Sequence, residues 1–357
     1  MPRPPLLPPA EVRRWATAHV ARHPRDLTHT LAEAFGVTRA AAAPALRRLE
    51  REGFLVRAGG STRPVFSAGA SRYIAGDFGL AGLDESAVWE GHFSPLLDLP
   101  PHVANIVHFG FTEIVNNAVD HAEGRLLRAR CAVAGGVVYL WIGDDGIGLF
   151  ERMRKDLRLE DPRLAMLELS KGRVTTDPAR HSGEGIFFTS RAFSVFRIDA
   201  NHLVYERRNP EPAAGGSKAR AAPPIALPPW PDDAPAATGT RVVMALRTDT
   251  RAELREIFDQ YTTGAPDDFS FDRTVIPVRL ARLGTENLLS RSQAKRLLAR
   301  IEHFKVVELD FEGVPEIGRA FADEIFRVFA RAFPAITLKV LNAGPGVAPM
   351  IRRVRSG

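Results

Sequence analysis

The sequence predicts a multi-domain α+β protein, and three observations lead there. Its 357 residues are more than one ordinary domain holds, so two or three are expected. Hydrophobic residues make up 45% and charged residues 25%, the balance of a chain that buries a core. Helix-period and strand-period stretches also segregate along the chain. Residues 1–70 are helical and arginine-rich, 71–250 mix strands and helices around glycine boxes, and 265–357 alternate strand and helix. Within the middle region, residues 209–238 are dense in Pro, Ala and Gly, most clearly from Ala221 to Pro229, and read as a flexible insertion.

Composition narrows the function classes. No run of about eighteen apolar residues occurs, so no membrane span is expected. Met1 to Pro5 reads as a disordered tail rather than a signal peptide. The single cysteine, Cys131, cannot form an internal disulfide, which suits a reducing cytoplasm. Lys+Arg is 48 against Asp+Glu 42, a net charge of +6. That excess permits nucleic-acid contact without demanding it, and abundant Arg and Ala also fit a simple compositional bias.

In the first region, Glu11 to Arg22 reads as a helix with Val12, Trp15, Ala16 and Val20 on one face. A second helix carries Leu27, Leu31 and Phe35, opened by Asp26 or Thr28. After the turn at Gly36-Val37-Thr38, a third presents Leu46 and Leu49 inward and Arg47, Arg48 and Arg51 outward, ending at Gly53. Pro44 either breaks this helix or begins it. Phe54 to Val56 and Pro64 to Phe66 form two short strands around Gly59-Gly60. This order resembles a winged helix-turn-helix. The resemblance implies that Thr38, Arg39, Arg47 and Arg48 face DNA, with Arg57 and Arg63 on the wing. Ala40 to Ala43 put methyl groups where base-reading side chains are wanted, so protein docking stays open as the alternative.

In the middle region, Phe109 to His121 has helical period, and Glu113 and Asn117, four apart, share a face that Asp120 and His121 continue. A carboxylate and a carboxamide on an apolar helix are costly to bury without partners. The strand Val137 to Ile142 runs into Gly143-Asp144-Asp145-Gly146-Ile147-Gly148, an Asp followed by two alternate glycines. Asp144 can accept a hydrogen bond from an adenine amino group. Gly183-Glu184-Gly185 opens another helix, where backbone N–H groups can meet phosphate. Thr238-Gly239-Thr240 then begins a strand through Leu246.

These four boxes, in this order, resemble the GHKL ATP-binding family, and no P-loop competes. The resemblance implies an α/β sandwich that binds ATP with Mg²⁺. It implies Asn117 as the Mg²⁺ ligand, Asp144 as the adenine reader supported by Thr240, and Gly146, Gly148, Gly183 and Gly185 as shapers of the nucleotide loops. Glu113 takes the place of the general base. Leu157 to Ser182 becomes a polar, mobile lid, in which Lys171, Arg173, Arg180 and His181 are either phosphate contacts or solvated charges. The wording from Glu113 to His121 is closest to the anti-sigma-factor serine kinases. ATPase, protein-serine kinase, binding without turnover, and a histidine-kinase relative all stay open. The homodimer common in that family is an expectation of the resemblance alone.

In the last region, Thr274 to Ala281, Val306 to Phe311 and Ile336 to Leu341 read as strands. Ser290 to Ile301, Ile317 to Phe333 and Val347 to Val354 read as helices, the second with Phe321, Ile325, Val328 and Phe329 inward. The stretch Glu308 to Val314 resembles a STAS-like domain of the anti-sigma-factor-antagonist sort. Its members carry a phosphorylatable hydroxyl at the next helix, but Gly318 to Glu324 has none, and Ser290 and Ser292 read as a helix cap and a surface residue. The three regions together suggest a switch in which nucleotide state alters what a DNA or regulatory-protein partner meets.

Overall fold

The structure is a computed structural model and describes residues 7–60, 63–173, 183–210, 223–231, 239–264, 270–284 and 286–356. It divides into two compact units. The first comprises residues 1–148, 193–200 and 206–251, and the second 149–192, 201–205 and 252–357.

The first unit opens with α1 (Pro9–His19), α2 (Leu27–Ala34) and α3 (Arg39–Arg51), followed by the antiparallel hairpin β1 (Leu55–Ala58) and β2 (Val65–Ala68). Val12, Ala16, Leu27, Leu31, Leu46 and Leu49 meet in one buried cluster with Leu55 and Phe66. Thr38 caps α3, its hydroxyl accepting from Ala41 N at 3.3 Å. The helix thus begins at Arg39 and runs through Pro44, which settles the alternative left by the sequence. Pro44 is exposed, and only the carbonyl one turn before it loses a helical partner.

β3 (Arg72–Gly79) follows, then α4 (Glu85–Val88) and α5 (Pro101–His121). β4 (Leu126–Ala134), β5 (Val137–Asp144), β6 (Val195–Ala200), β7 (Leu203–Arg208) and β8 (Thr240–Arg247) complete a six-stranded sheet in the order β3-β4-β5-β8-β6-β7. β3 and β4, β4 and β5, β5 and β8, and β8 and β6 each pair antiparallel. α5 starts eight residues before the expected position, at a proline that suits a first helical turn. It buries Val103, Ile106, Val107, Phe111, Ile114, Val115 and Ala118, the spacing of one helix face. Gly110 sits where α5 crosses the sheet. A Cβ there would lie 2.3 Å from the Phe193 ring, and Met244 of β8 is the next neighbour. Leu140 pairs with Met244, so Val138, Leu140, Ile142 and Asp144 form the helix-covered side of β5.

Residues 223–231 correct the reading of a flexible insertion. Ile225 is buried against Val137, Val195 and Ala245 on the other side of the sheet, with Leu227 and Tyr139 packed beside them. The neighbouring residues 211–222 and 232–238 of that reading lie outside the described residues.

The second unit contains α6 (Leu149–Asp156), α7 (Leu164–Lys171), α8 (Gly185–Ala192) and α9 (Leu254–Asp259). Then come β9 (Arg273–Pro277), α10 (Arg291–Leu298), β10 (Val306–Asp310), α11 (Arg319–Asp323), α12 (Ala330–Ala332), β11 (Thr337–Leu341) and α13 (Ala348–Arg355). β10 lies between β9 and β11 in a parallel sheet. The expected strand past Pro277 is instead a 3₁₀ turn over Val278–Ala281. α11 and α12 are joined by a π-helical stretch, Glu324–Phe329. Its wider turn shifts the phase, so Val328 is exposed and Phe326 is buried in its stead. A cluster of rings, Phe187, Phe188, Tyr261, Phe271 and Phe304, fills the core of this unit at edge-on and tilted angles.

Candidate functional site

Asp144 ends β5 directly across from Thr240 at the start of β8, because Gly143 pairs with Arg241 in the register. Its Oδ1 accepts from Gly146 N at 2.9 Å and from Thr240 N at 3.1 Å. Burial pushes the Asp144 carboxyl above its ordinary range. The hydrogen bonds from Gly146 and Thr240 oppose that shift, and the neighbouring Asp145 charge adds to it. Gly239 has a φ of +85°, and a Cβ there would lie 2.0 Å from the Asp144 carbonyl. Only glycine lets β8 start this close to β5.

The C-terminal end of α5 is tied to the same turn. Ile147 N donates to Ala122 O at 2.9 Å, and a Cβ on Gly146 would lie 1.9 Å from that oxygen. Asp145 Oδ1 accepts from Arg125 N at 2.7 Å and Leu126 N at 2.9 Å, fixing the strand that leaves the helix. One and two turns back along α5 lie the half-buried Asn117 and Glu113. Asn117 Nδ2 donates to Glu113 O at 2.5 Å, so the carboxamide folds back on its own helix. Gly148 closes the acidic turn with a φ of +85°. The first unit therefore brings together the end of α5, the Asp144 turn and the Gly239-Thr240 strand start.

Gly183 and Gly185 belong to the second unit, Gly183 with a φ of +69° and Gly185 at the start of α8. The polar lid expected between Leu157 and Ser182 is corrected in its middle part. α7 is buried along most of its length, including Glu168, Ser170 and Lys171. Lys171 is neither a solvated charge nor an open phosphate contact. It is 1% exposed, and its Nζ donates to Glu168 Oε1 at 2.8 Å, Ala299 O at 2.8 Å and Arg296 O at 3.2 Å. Arg173 pairs with Glu184 at 3.1 Å. Arg180 and His181 lie outside the described residues.

Among the residues expected to face DNA, Thr38, Arg39 and Arg47 on α3 and Arg57 and Arg63 around the hairpin are exposed. Arg48 is half-buried: its Nε and Nη2 are shut off from solvent, and the side chain lies beside Glu52. Sequence reasoning quoted Gly239 and Asp145 within their boxes without giving either a role, and it missed Gly124. A Cβ on Gly124 would lie 2.7 Å from Asp145 Oδ1, and the visible signal was a glycine just past a helix end.

Ser290 is confirmed as a helix cap. It forms a capping box with Gln293 on α10, and its hydroxyl accepts from Gln293 N at 3.2 Å. Among the described residues, no helix is long and apolar enough to cross a membrane, and no cluster of three or more His, Cys, Asp or Glu could hold a metal. Residues 293–348 match the family model of a STAS-like domain of unknown function. Comparison with curated proteins finds no match. The mixed α/β chain therefore carries a STAS-like domain within its second unit.

Proposed function

We propose that the chain binds ATP with Mg²⁺ in a GHKL-type pocket and acts as a regulatory switch. The observation that carries this reading is Asp144 Oδ1, held by Gly146 N and Thr240 N, at a turn that is itself bonded to the end of α5. A carboxylate offers about four lone-pair sites, so it can accept an adenine amino group as well. The Asn117 carboxamide donates one N–H to Glu113 O, and its carbonyl oxygen is the kind of ligand a hard cation takes. Mg²⁺ would supply charge neutralisation for the triphosphate. Glu113, one turn earlier on α5, takes the proton from the attacking water or protein hydroxyl. Gly183 and Gly185 enter this reading through the family resemblance.

Calorimetry with a non-hydrolysable ATP analogue, with and without Mg²⁺, tests binding. Saturable Mg-dependent binding that Asn117→Ala removes supports it, and no binding with Mg²⁺ present refutes it. Radiolabelled ATP then tests turnover. Phosphate release or protein labelling that Glu113→Ala abolishes marks a catalyst, no turnover leaves a nucleotide-gated binding module, and acid-labile label marks a histidine-kinase relative.

The N-terminal helices and hairpin read as a winged helix-turn-helix, supported by exposed Arg39, Arg47, Arg57 and Arg63. Each phosphate contact adds about one unit to the salt slope of DNA binding. Arg47→Ala should therefore lower that slope and Arg48→Ala should not. A protein-docking role stands instead if the full chain shows no salt-sensitive DNA binding. As a switch, DNA or partner affinity should differ between ADP, the ATP analogue and no nucleotide, and equal affinities remove the coupling.

A further inference from the structure

The side of the sheet opposite α5 has its own occupant. Val137, Tyr139, Trp141 and Gly143 of β5 alternate onto that side, and Ala245 and Val195 extend it onto the neighbouring strands. Across it lies Pro223-Pro-Ile-Ala-Leu-Pro-Pro-Trp-Pro231, a stretch with no strand pairing of its own. Ile225 is buried in the cluster with Val137, Val195 and Ala245, and Leu227 packs against the same cluster. The Trp230 ring ends on Gly143, 3.0 Å from where a Cβ would be, and the Arg241 guanidinium lies over that ring at 5.3 Å. Two arginines bond the stretch through its main chain: Arg247 Nη2 to Pro223 O at 2.5 Å and Arg208 Nη1 to Ile225 O at 2.9 Å. Beneath it Tyr139 and Trp141 stack with centroids 5.7 Å apart. Trp141 is 3% exposed and its indole N–H meets no acceptor.

These are the parts from which proline-rich segments are recognised: an aromatic-lined apolar groove, and side-chain donors aimed at carbonyls that an extended proline-rich chain cannot bond internally. Proline also lowers the entropy lost on docking, because its φ is already fixed. The unused Trp141 N–H is one more donor for a segment that seats deeper than residues 223–231 do. We propose that this side of the sheet is a polyproline-docking groove, filled at rest by the chain's own residues 223–231. A proline-rich segment of another protein competes for it. Tethering gives the internal segment an effective concentration on the order of millimolar, so only a better-fitting or clustered ligand displaces it.

The test uses the full chain and a fluorescent peptide of residues 221–231. The double variant Ile225→Asp/Trp230→Ala removes the internal anchors while leaving the groove intact. It should bind the peptide saturably by anisotropy, and the wild type should bind roughly tenfold more weakly or worse, because its own segment competes. Adding Tyr139→Ala to the double variant should abolish binding. A scrambled peptide of the same composition should not bind. Absence of binding to a double variant that still melts cooperatively overturns the proposal, as does equal binding of the scrambled peptide. If the double variant does not fold, the wild type decides. Millimolar peptide with its Trp replaced by Phe should raise acrylamide quenching of the Trp230 fluorescence, identified by difference from Trp230→Phe, and unchanged quenching overturns the proposal.

Discussion

Replacing Lys171 by Met should cost the second unit about 3–5 kcal/mol, because it strips the cation from a buried pair and leaves the anion behind. All three N–H donors of Lys171 are used, on Glu168 Oε1, Ala299 O and Arg296 O. Glu168 is 2% exposed, and its Oε2 has no hydrogen-bond partner. The nearest remaining cation, Arg300, stands 3.6 Å from Oε1. Burial pushes the Lys171 amine below its ordinary range and the Glu168 charge opposes that shift, so the pair holds together only while both members are present. Methionine fits the stem but supplies no donor, and the carbonyls at the end of α10 lose their cap as well. At roughly 2–4 °C per kcal/mol, the expected fall in the CD-monitored midpoint is about 6–20 °C. Amide exchange should localise the loss to α7 and α10. The double variant Lys171→Met/Glu168→Met should recover most of it, since apolar replacement of a whole buried pair is close to neutral. A single variant within about 1 kcal/mol of wild type would refute the reasoning, as would a double variant no better than the single.

Three further outcomes follow from the structure. Asp144→Asn keeps an acceptor for Gly146 N and Thr240 N but removes a buried charge. The folded-state pKa of Asp144 is raised, so its ionised form costs stability above that value and the cost fades as pH falls through it. The variant should melt no lower than wild type at neutral pH while binding the ATP analogue at least roughly tenfold more weakly, as loss of a charged hydrogen bond implies; calorimetry showing unchanged affinity would count against Asp144 as adenine reader. Gly146→Ala should lower stability by about 2 kcal/mol or more in a thermal melt, because the new methyl has no room beside Ala122 O. Asp272 is buried, which pushes its carboxyl up, but Lys305 at 2.8 Å and two hydrogen bonds from Thr263 hold it below the ordinary value. That stabilisation is present above the unfolded pKa near 3.9 and is lost as pH falls through the lower folded value. Urea midpoints of Asp272→Asn should therefore lose less between pH 5 and pH 3 than those of wild type.

What could be read in the sequence was what neighbouring residues decide. The α5 face, the apolar run of β5, the glycines around Asp144 and the Ser290 cap are local patterns, and the structure contains them. The readings that changed depend on distant partners. Lys171 looks like a solvated charge because its carbonyl partners stand 125 and 128 residues further on. Arg48 looks fully exposed by helix phase but is half-buried beside Glu52, which Arg13 of α1 also engages at 2.9 Å. Val328 fails because a π-helical turn breaks the 3.6-residue period. In the proline-rich stretch, composition argued for flexibility, yet Ile225, Leu227 and Trp230 recur every two or three residues. That spacing is an apolar edge visible in the sequence, and only the sheet beneath shows what it packs on.

The proposed switch has to work through a stiff seat. Tyr73 N of the edge strand β3 donates to Thr17 Oγ1 of α1 at 3.2 Å, and Ser71 Oγ donates to Glu52 O at the end of α3 at 2.9 Å. Gly69 is pressed so close that a Cβ would lie 2.0 Å from Gly53 O. Main-chain bonds from Gly69 N to Phe54 O and from Ser71 N to Gly53 O, both 2.9 Å, also join the end of α3 to the strand entering the sheet, and main-chain pairs do not re-pair by rotamer changes. A nucleotide at Asp144 could then reach α3 only by moving β5, β4 and β3 together or by breaking the seat. The two routes differ in outcome: concerted movement leaves the Tyr73 amide protected from exchange in every nucleotide state, whereas breaking the seat exposes it in one of them.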